Sequence, residues 1–497
     1  MKMSYNFVAI LLALLTLSSC GDFLNIVQEG EVPTDDIDFT DPGQMYAPVS
    51  GVYADARRKM TQWEIWPLLN VRGDEVTKGG GSAADQGDYL NIETFNYAAA
   101  KGFWALNNSW EAFYKVVYTT YYNEDLLNRF VVNLSNESDL ALAEQYRAEI
   151  IFHRALAYYF IEQLWGEAPI VNPENVNDVF LYRATNEKLI DHIIEQLDYC
   201  IDQLPATQPV HTGAVTKYTA MTLKAKLALR LGDFATVKSL TDEIINANQY
   251  QLVAQDEYYD LFKIPGKLSS ESIYEFQFTD FGNGDGQQIY GGAWFQHQGP
   301  RNTPAPVNGW GFMMLQKGYL DFLNQHGNNG ERDQERWDLA VLESGVTTKA
   351  GDEIGLFEPS FLPVKAHYNG KAYTPSNQLT PGRPNYGANN NIRLLRYVDV
   401  LLMNAEAKVR IGGDAASPLN AVRTRVGLEP INNPTLDQIL DERRAELSCE
   451  WGDRFNDLVR TGKASELLEG FVKGESEYLP IPVRQEDLNP RLLEPAR

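Results

Sequence analysis

Residues 140–165, LALAEQYRAEIIFHRALAYYFIEQLW, place Ala143, Tyr146, Ile150, His153, Ala157, Phe160 and Leu164 three and four residues apart. That interval lays one apolar stripe along an amphipathic helix. His153 sits inside the stripe, where a lone histidine reads as a core residue rather than a ligand. The same spacing predicts a helix over Glu187 to Leu204, through Ile190, Ile194, Leu197 and Ile201, with Pro205 as its stop. A further helix runs from about Val215 to Leu231, and Gly232-Asp233-Phe234 turns the chain into another that buries Val237, Leu240 and Ile244.

A helix, a Gly-Asp-aromatic turn and an antiparallel helix resemble the tetratricopeptide hairpin. The pattern recurs at Arg393 to Gly427 around Gly412-Gly413-Asp414. The hairpins are widely spaced rather than tandem, so they predict a helical frame and not a regular solenoid. Between them, residues 265–312 and 343–391 are rich in Gly, Pro, Asn and aromatics, reading as long loops with short strands such as Ser272 to Phe278. The fold class is mainly α, with tetratricopeptide-like hairpins as a frame, long aromatic and Gly-rich loops and a few short strands. Loops of that length usually carry function.

The amino terminus gives an address. Phe7 to Leu17 is an apolar run too short for the roughly 20 residues that cross a hydrocarbon core, and Lys2 precedes it. It reads as a signal-peptide h-region. Ser18-Ser19-Cys20 resembles a bacterial lipobox, which implies cleavage before Cys20 and lipid on its sulfur. The predicted organisation is a signal peptide over 1–19, a lipid-anchored tether over 20–44, a helical region over 45–262, and a region with long binding loops over 263–497, packed on the first as one body.

The chain has 497 residues and a formal net charge of −24. Nucleic acid and anionic surfaces are therefore poor partners, and neutral ligands fit better. Cys200 and Cys449 fall in helical patterns and read as buried free thiols. The six histidines show no ligand spacing, so neither a metal nor a cofactor is expected.

No catalytic constellation stands out. Glu446 and Glu450 lie four apart, as a carboxylate pair for acid–base work would. Yet Arg443 and Arg454 fall within one helical turn of them and predict ion pairing instead. Gly79-Gly80-Gly81 lacks the Lys-Ser/Thr of a phosphate cradle, and Gly282 to Gly286 has no acid at its start and Gly292 in place of the closing glutamate of a calcium loop. What remains is aromatic surface. Trp63, Trp66, Phe103, Trp104, Tyr290, Trp294 and Trp310 lie in polar or glycine-rich context, whereas Trp110, Trp165 and Trp451 lie within helices and read as core. A sugar ring stacks its apolar face on such side chains while Asn, Asp and Arg meet its hydroxyls.

Several segments together resemble the SusD/RagB-like outer-membrane lipoproteins of Bacteroidetes. They are Cys20 to Leu24, Gly51-Val52-Tyr53, Arg147 to Val171 with its Trp-Gly-x-x-Pro, Arg396 to Ala407, Glu442 to Gly462 and Tyr478 to Pro490. The resemblance implies a non-enzymatic, mainly helical binding protein on the outer membrane, facing the cell surface and held by its acyl anchor. It also implies capture of an oligosaccharide for import through a SusC-like TonB-dependent transporter. The ligand residues it implies are Asp74, Trp104, Asn107, Tyr290, Trp294 and Trp310. A peptide receptor of the same type, an adaptor that binds only proteins, and a hydrolase using Glu446 or Glu450 are the alternatives.

The lipobox reading generates one prediction. Cys20→Ala is expected to release the protein from the outer membrane, because it removes the acylation point. Membrane fractionation in a strain lacking the partner barrel checks it, and a variant that still pellets with the membrane refutes the anchor.

Overall fold

The computed structural model describes residues 37–278, 293–380, 387 and 389–497. The signal peptide, Cys20, Tyr290 and the Gly282 to Gly286 loop lie outside them. Residues 37–44, assigned to the tether, contain Phe39, whose ring packs 4.9 Å from that of Phe130 under the Arg129 guanidinium. An aromatic side chain there anchors this stretch on the folded body.

Helices α1 (Tyr46–Met60), α2 (Ile65–Asn70), α3 (Trp104–Val131), α4 (Glu137–Trp165), α5 (Asn186–Gln203), α6 (Lys217–Leu231) and α7 (Phe234–Asn246) form the first part of the frame. After them come α8 (Trp294–Gln298), α9 (Gln334–Ala340), α10 (Tyr397–Ile411), α11 (Ala416–Arg425), α12 (Leu436–Leu447), α13 (Asp453–Arg460) and α14 (Val483–Leu488). From α3 to α7 each helix packs on the next in sequence, and α7 then packs on α10, which in turn carries α11 and α12. The stack is continuous in space although the chain leaves it at residue 247 and returns at 397.

The Gly-Asp turns work through two separate requirements. Gly232 takes a left-handed φ of 76°, which a side chain disfavours, and Asp233 then accepts a hydrogen bond from the Thr236 amide at the start of α7. At the second turn Gly412 and Gly413 have φ of 97° and 139°, and Asp414 accepts from the Ala416 and Ser417 amides. The expected hairpin from Arg393 begins instead as a strand, because Ile392 to Arg396 pair before the helix starts at Tyr397.

The long connections are pinned by three antiparallel pairs. They are β1 (Val76–Gly79) with β3 (Phe312–Leu315), β2 (Ser272–Phe276) with β6 (Ile392–Arg396), and β4 (Val341–Glu343) with β5 (His367–Asn369). One large apolar cluster runs through both the helices and these strands, from Ala56 to Leu492. His153 is fully buried in it, with Nδ1 on the Glu149 carbonyl at 2.7 Å and Nε2 on the Tyr274 hydroxyl at 2.9 Å. Cys200 and Cys449 are free and buried, and Trp110, Trp165 and Trp451 are core residues.

Ion pairing around Glu446 and Glu450 occurs, but not with the partners that helical spacing suggests. Helix α12 ends at Leu447, so Glu450 and Arg454 do not share a helix with Glu446. Glu446 meets Arg336 of α9 at 3.0 Å, Arg396 of β6 at 3.2 Å and Arg425 of α11 at 2.9 Å, and accepts from the Tyr258 hydroxyl at 3.1 Å. Glu450 meets Arg396 at 2.5 Å and Lys371 at 2.7 Å. Arg443 instead pairs with Asp399 and Asp457, and Arg454 with Asp74. A buried charge must find a partner wherever the fold supplies one, whereas an exposed pair along one helix contributes only tenths of a kcal/mol.

Burial alone would raise the Glu446 carboxyl, but Arg425, Arg336 and Arg396 outweigh it and hold the group far below the ordinary carboxylate range. Its stabilising contribution is therefore complete above the unfolded value of about 4.3 and is lost as pH falls below it. Glu446→Gln is expected to cost about 3–5 kcal/mol at pH 7, since it leaves three buried guanidiniums short of a counter-charge. The deficit should shrink as pH falls below about 4.3. Urea unfolding at several pH values reads both effects; a deficit under about 1 kcal/mol, the scale of an exposed pair, would refute the coupling.

Candidate functional site

Three indoles from separate parts of the chain meet at the surface. Trp63 lies in the turn between α1 and α2, Trp104 is the first residue of α3, and Trp310 lies in the loop before β3. Trp63 is the hub, its ring 5.4 Å from Trp104 and 5.5 Å from Trp310, both edge to face. Such geometry aligns the positive ring edge with the negative face of its neighbour. Trp104 is 40% exposed, while Trp63 and Trp310 are half-buried.

The cluster rests on a built floor. His297 of α8 is buried beneath Trp63 at 4.6 Å and stacks on Phe312 of β3 at 4.7 Å with the planes 2° apart. Neither of its ring nitrogens has a hydrogen-bond partner among the described residues. Burial pulls its pKa down to about 3, so at neutral pH it is an uncharged ring and serves as an apolar support. The Trp310 backbone amide donates to the Gln296 carbonyl at 2.8 Å, tying the loop to α8.

The expected site residues fare differently. Trp104 and Trp310 share the cluster. Asn107 lies one helical turn from Trp104 but is buried, its Oδ1 accepting from Gln485 of α14 at 2.9 Å. Trp294 is only 5% exposed and packs edge to face on Trp66, which packs in turn on Trp451, so it is core and offers no open face. Trp66 and Phe103 are buried as well.

Asp74 is clamped by Arg454, at 2.7 Å and 2.9 Å, and by Arg444 at 3.1 Å. Burial would raise its carboxyl, but these arginines outweigh burial and hold it below the ordinary value. Its role here is to lock the 71–75 turn onto α12 and α13.

The glycine run Gly79 to Gly81 is more ordered than its composition suggests. The Lys78 ammonium is buried behind it and donates to the carbonyls of Gly79, Ser82 and Asp85 at 3.1, 3.0 and 2.7 Å. Asp85 and Arg301 flank the Trp310 end of the cluster, and neither stood out in the sequence. The available signal was glycine: Arg301 runs against both Gly81 and Gly311, and Gly311 also takes a left-handed φ of 68°.

Glu446 and Glu450 lie buried in the arginine network, away from these rings, with no open carboxylate face. Among the described residues no group of three or more His, Cys, Asp and Glu side chains is placed to hold a metal ion, and no helix is long and apolar enough to cross a membrane.

Comparison with known proteins agrees with this architecture. A family model described as the SusD family matches residues 365–482, and one described as "starch-binding associating with outer membrane" matches residues 83–229. SusD-like protein P25 of Formosa agariphila is 24% identical over 442 residues, covering 78% of each chain. The starch-binding protein SusD of Bacteroides thetaiotaomicron is 25% identical over 358 residues, 64% of each chain. The solved structure of a laminarin-binding SusD-like protein superposes with a TM-score of 0.75 at 25% identity, over 90% of this chain and 97% of that one. The matched segments fall one on the first helical hairpins and the other on the β6–α10 region and the arginine network, so the chain is similar to the SusD family in both parts of its frame.

Proposed function

We infer that this protein is a cell-surface glycan-binding lipoprotein that captures a neutral oligosaccharide and passes it to a SusC-like TonB-dependent transporter, without bond chemistry of its own. The observation that carries the reading is the Trp63, Trp104 and Trp310 cluster, an aromatic surface on a rigid, uncharged floor. Rings fixed in advance lose little conformational freedom when a sugar stacks on them. The two relatives named for starch and laminarin support a glucan-type ligand, and the family description supports the outer membrane. Burial of Glu446 and Glu450 among arginines argues against the hydrolase alternative.

Trp104→Ala and Trp310→Ala are each expected to weaken oligosaccharide binding several-fold, on the order of 1 kcal/mol per stacked ring. Trp104→Ala should leave the unfolding curve unchanged, because the ring is partly exposed. Trp294→Ala should instead destabilise the fold by about 3–5 kcal/mol as a buried large-to-small change. Isothermal calorimetry against neutral oligosaccharides and peptides, with unfolding curves alongside, separates these roles. Unchanged affinity in both cluster variants, for a ligand that the wild type binds, would sink the site, and a peptide as sole ligand would establish the receptor alternative.

A further inference from the structure

Beside Trp310 the Arg301 guanidinium donates through Nη1 to the Trp310 carbonyl at 2.8 Å, and the same nitrogen lies 3.9 Å from Oδ2 of Asp85. The two side chains are 33% and 35% exposed. Both are fixed from behind. The Arg301 amide donates to the Tyr368 hydroxyl at 3.2 Å, and its guanidinium carbon lies 5.7 Å from the centre of the Phe357 ring. Asp85 accepts from the Gly81 amide at 2.8 Å, while its own carbonyl accepts from Lys78. The arginine runs between two glycines: a Cβ on Gly311 would stand 2.5 Å from its Cγ, and one on Gly81 2.8 Å from its Nη2.

At 3.9 Å the charges attract but are too far apart for a hydrogen bond. Among the described residues nothing hydrogen-bonds Arg301 Nε or Nη2, or Asp85 Oδ1. A donor-only group and an acceptor-only group are thus held side by side, partly open, next to an aromatic platform.

We propose that Arg301 and Asp85 select the ligand of this cluster by gripping two adjacent hydroxyls of one sugar ring, the guanidinium donating to one oxygen while the carboxylate accepts from its neighbour. This rests on the glycan reading above and deepens it. The pair carries no net charge, which suits a neutral sugar, and an anionic one would meet Asp85. A (1→4)-linked hexose chain keeps the hydroxyls at C2 and C3 free and adjacent on every internal ring, whereas a (1→3)-linked chain does not. The proposed ligand class is therefore a neutral glycan whose internal rings keep two adjacent hydroxyls free, with (1→4)-linked hexose chains as the example tested.

Calorimetry of the full chain with maltohexaose, cellohexaose and laminarihexaose tests this in wild type, Arg301→Gln, Asp85→Asn, Trp104→Ala and Trp310→Ala. Wild type is expected to favour a (1→4)-linked hexamer over laminarihexaose by roughly fivefold or more, as a site built to bond a hydroxyl rejects a ligand lacking it. Arg301→Gln and Asp85→Asn should each weaken the favoured hexamer about tenfold and erase that preference. The preference ratio is the deciding readout, since a merely structural arginine would lower all three affinities together and leave the ratio intact, overturning the proposal. Unchanged binding in both polar variants alongside a loss in Trp104→Ala overturns the proposal but leaves the glycan reading standing. A wild type that binds none of the three hexamers overturns the proposal, and a Trp104→Ala that binds them unchanged, together with an unchanged Trp310→Ala, overturns the glycan reading of this cluster as well. Should Arg301→Gln fail to fold, Asp85→Asn reads the same ratio.

Discussion

The carboxylates of Glu446 and Glu450 and the guanidinium of Arg396 are all buried, and the rest of the molecule is arranged so that they can be. Taking such charges from water costs several kcal/mol each, and only close, multiple pairing offsets it. Arg336 from α9, Arg425 from α11, Lys371 from the segment after β5 and Glu271 at the start of β2 all converge on this centre. Each comes from a different element, so none can be withdrawn without stranding another. The helical frame and the long connections are therefore one cooperative body.

The aromatic cluster draws on that rigidity indirectly. Its three indoles come from segments far apart in sequence, and each is fixed by something else: Trp104 by the start of a 28-residue helix, Trp310 by a backbone hydrogen bond to α8, and Trp63 by contact with both. The β1–β3 pair joins the glycine loop of Asp85 to the strand that follows Trp310. Platform and polar edge are thus tied by one pair of strands.

The frame was legible because helix periodicity and the Gly-Asp turns are local signals: one residue needs a left-handed φ and the next supplies a cap. The partners of Glu446 were not legible, since spacing along a helix cannot reveal that α12 stops at Leu447 or that Arg336 arrives from 110 positions away. Context also failed to separate Trp294 from Trp104. Both stand among small or polar residues, but Trp294 opens a short helix that turns its ring onto Trp66, whereas the Trp104 ring meets Trp63 and Phe103 and remains 40% exposed. Arg301 and Asp85 were hidden because neither belongs to a motif; their placement depends on glycines that matter only once two loops are side by side.

The stacking of α7 on α10 bears on how this chain folds. Tyr250 and Tyr397 stack 6.3 Å apart where the chain leaves and rejoins the helical array. Helices α3 to α7 make contacts between sequence neighbours and can assemble early, but the face of α7 carrying Val237, Thr241 and Ile244 stays uncovered until α10 is made. Contacts of such sequence separation close slowly, because loop entropy is lost before the contact forms. During synthesis the half-built array therefore carries an apolar edge that attracts other chains. The helices that follow residue 396 act in cis as the cover for the array that ends at residue 246.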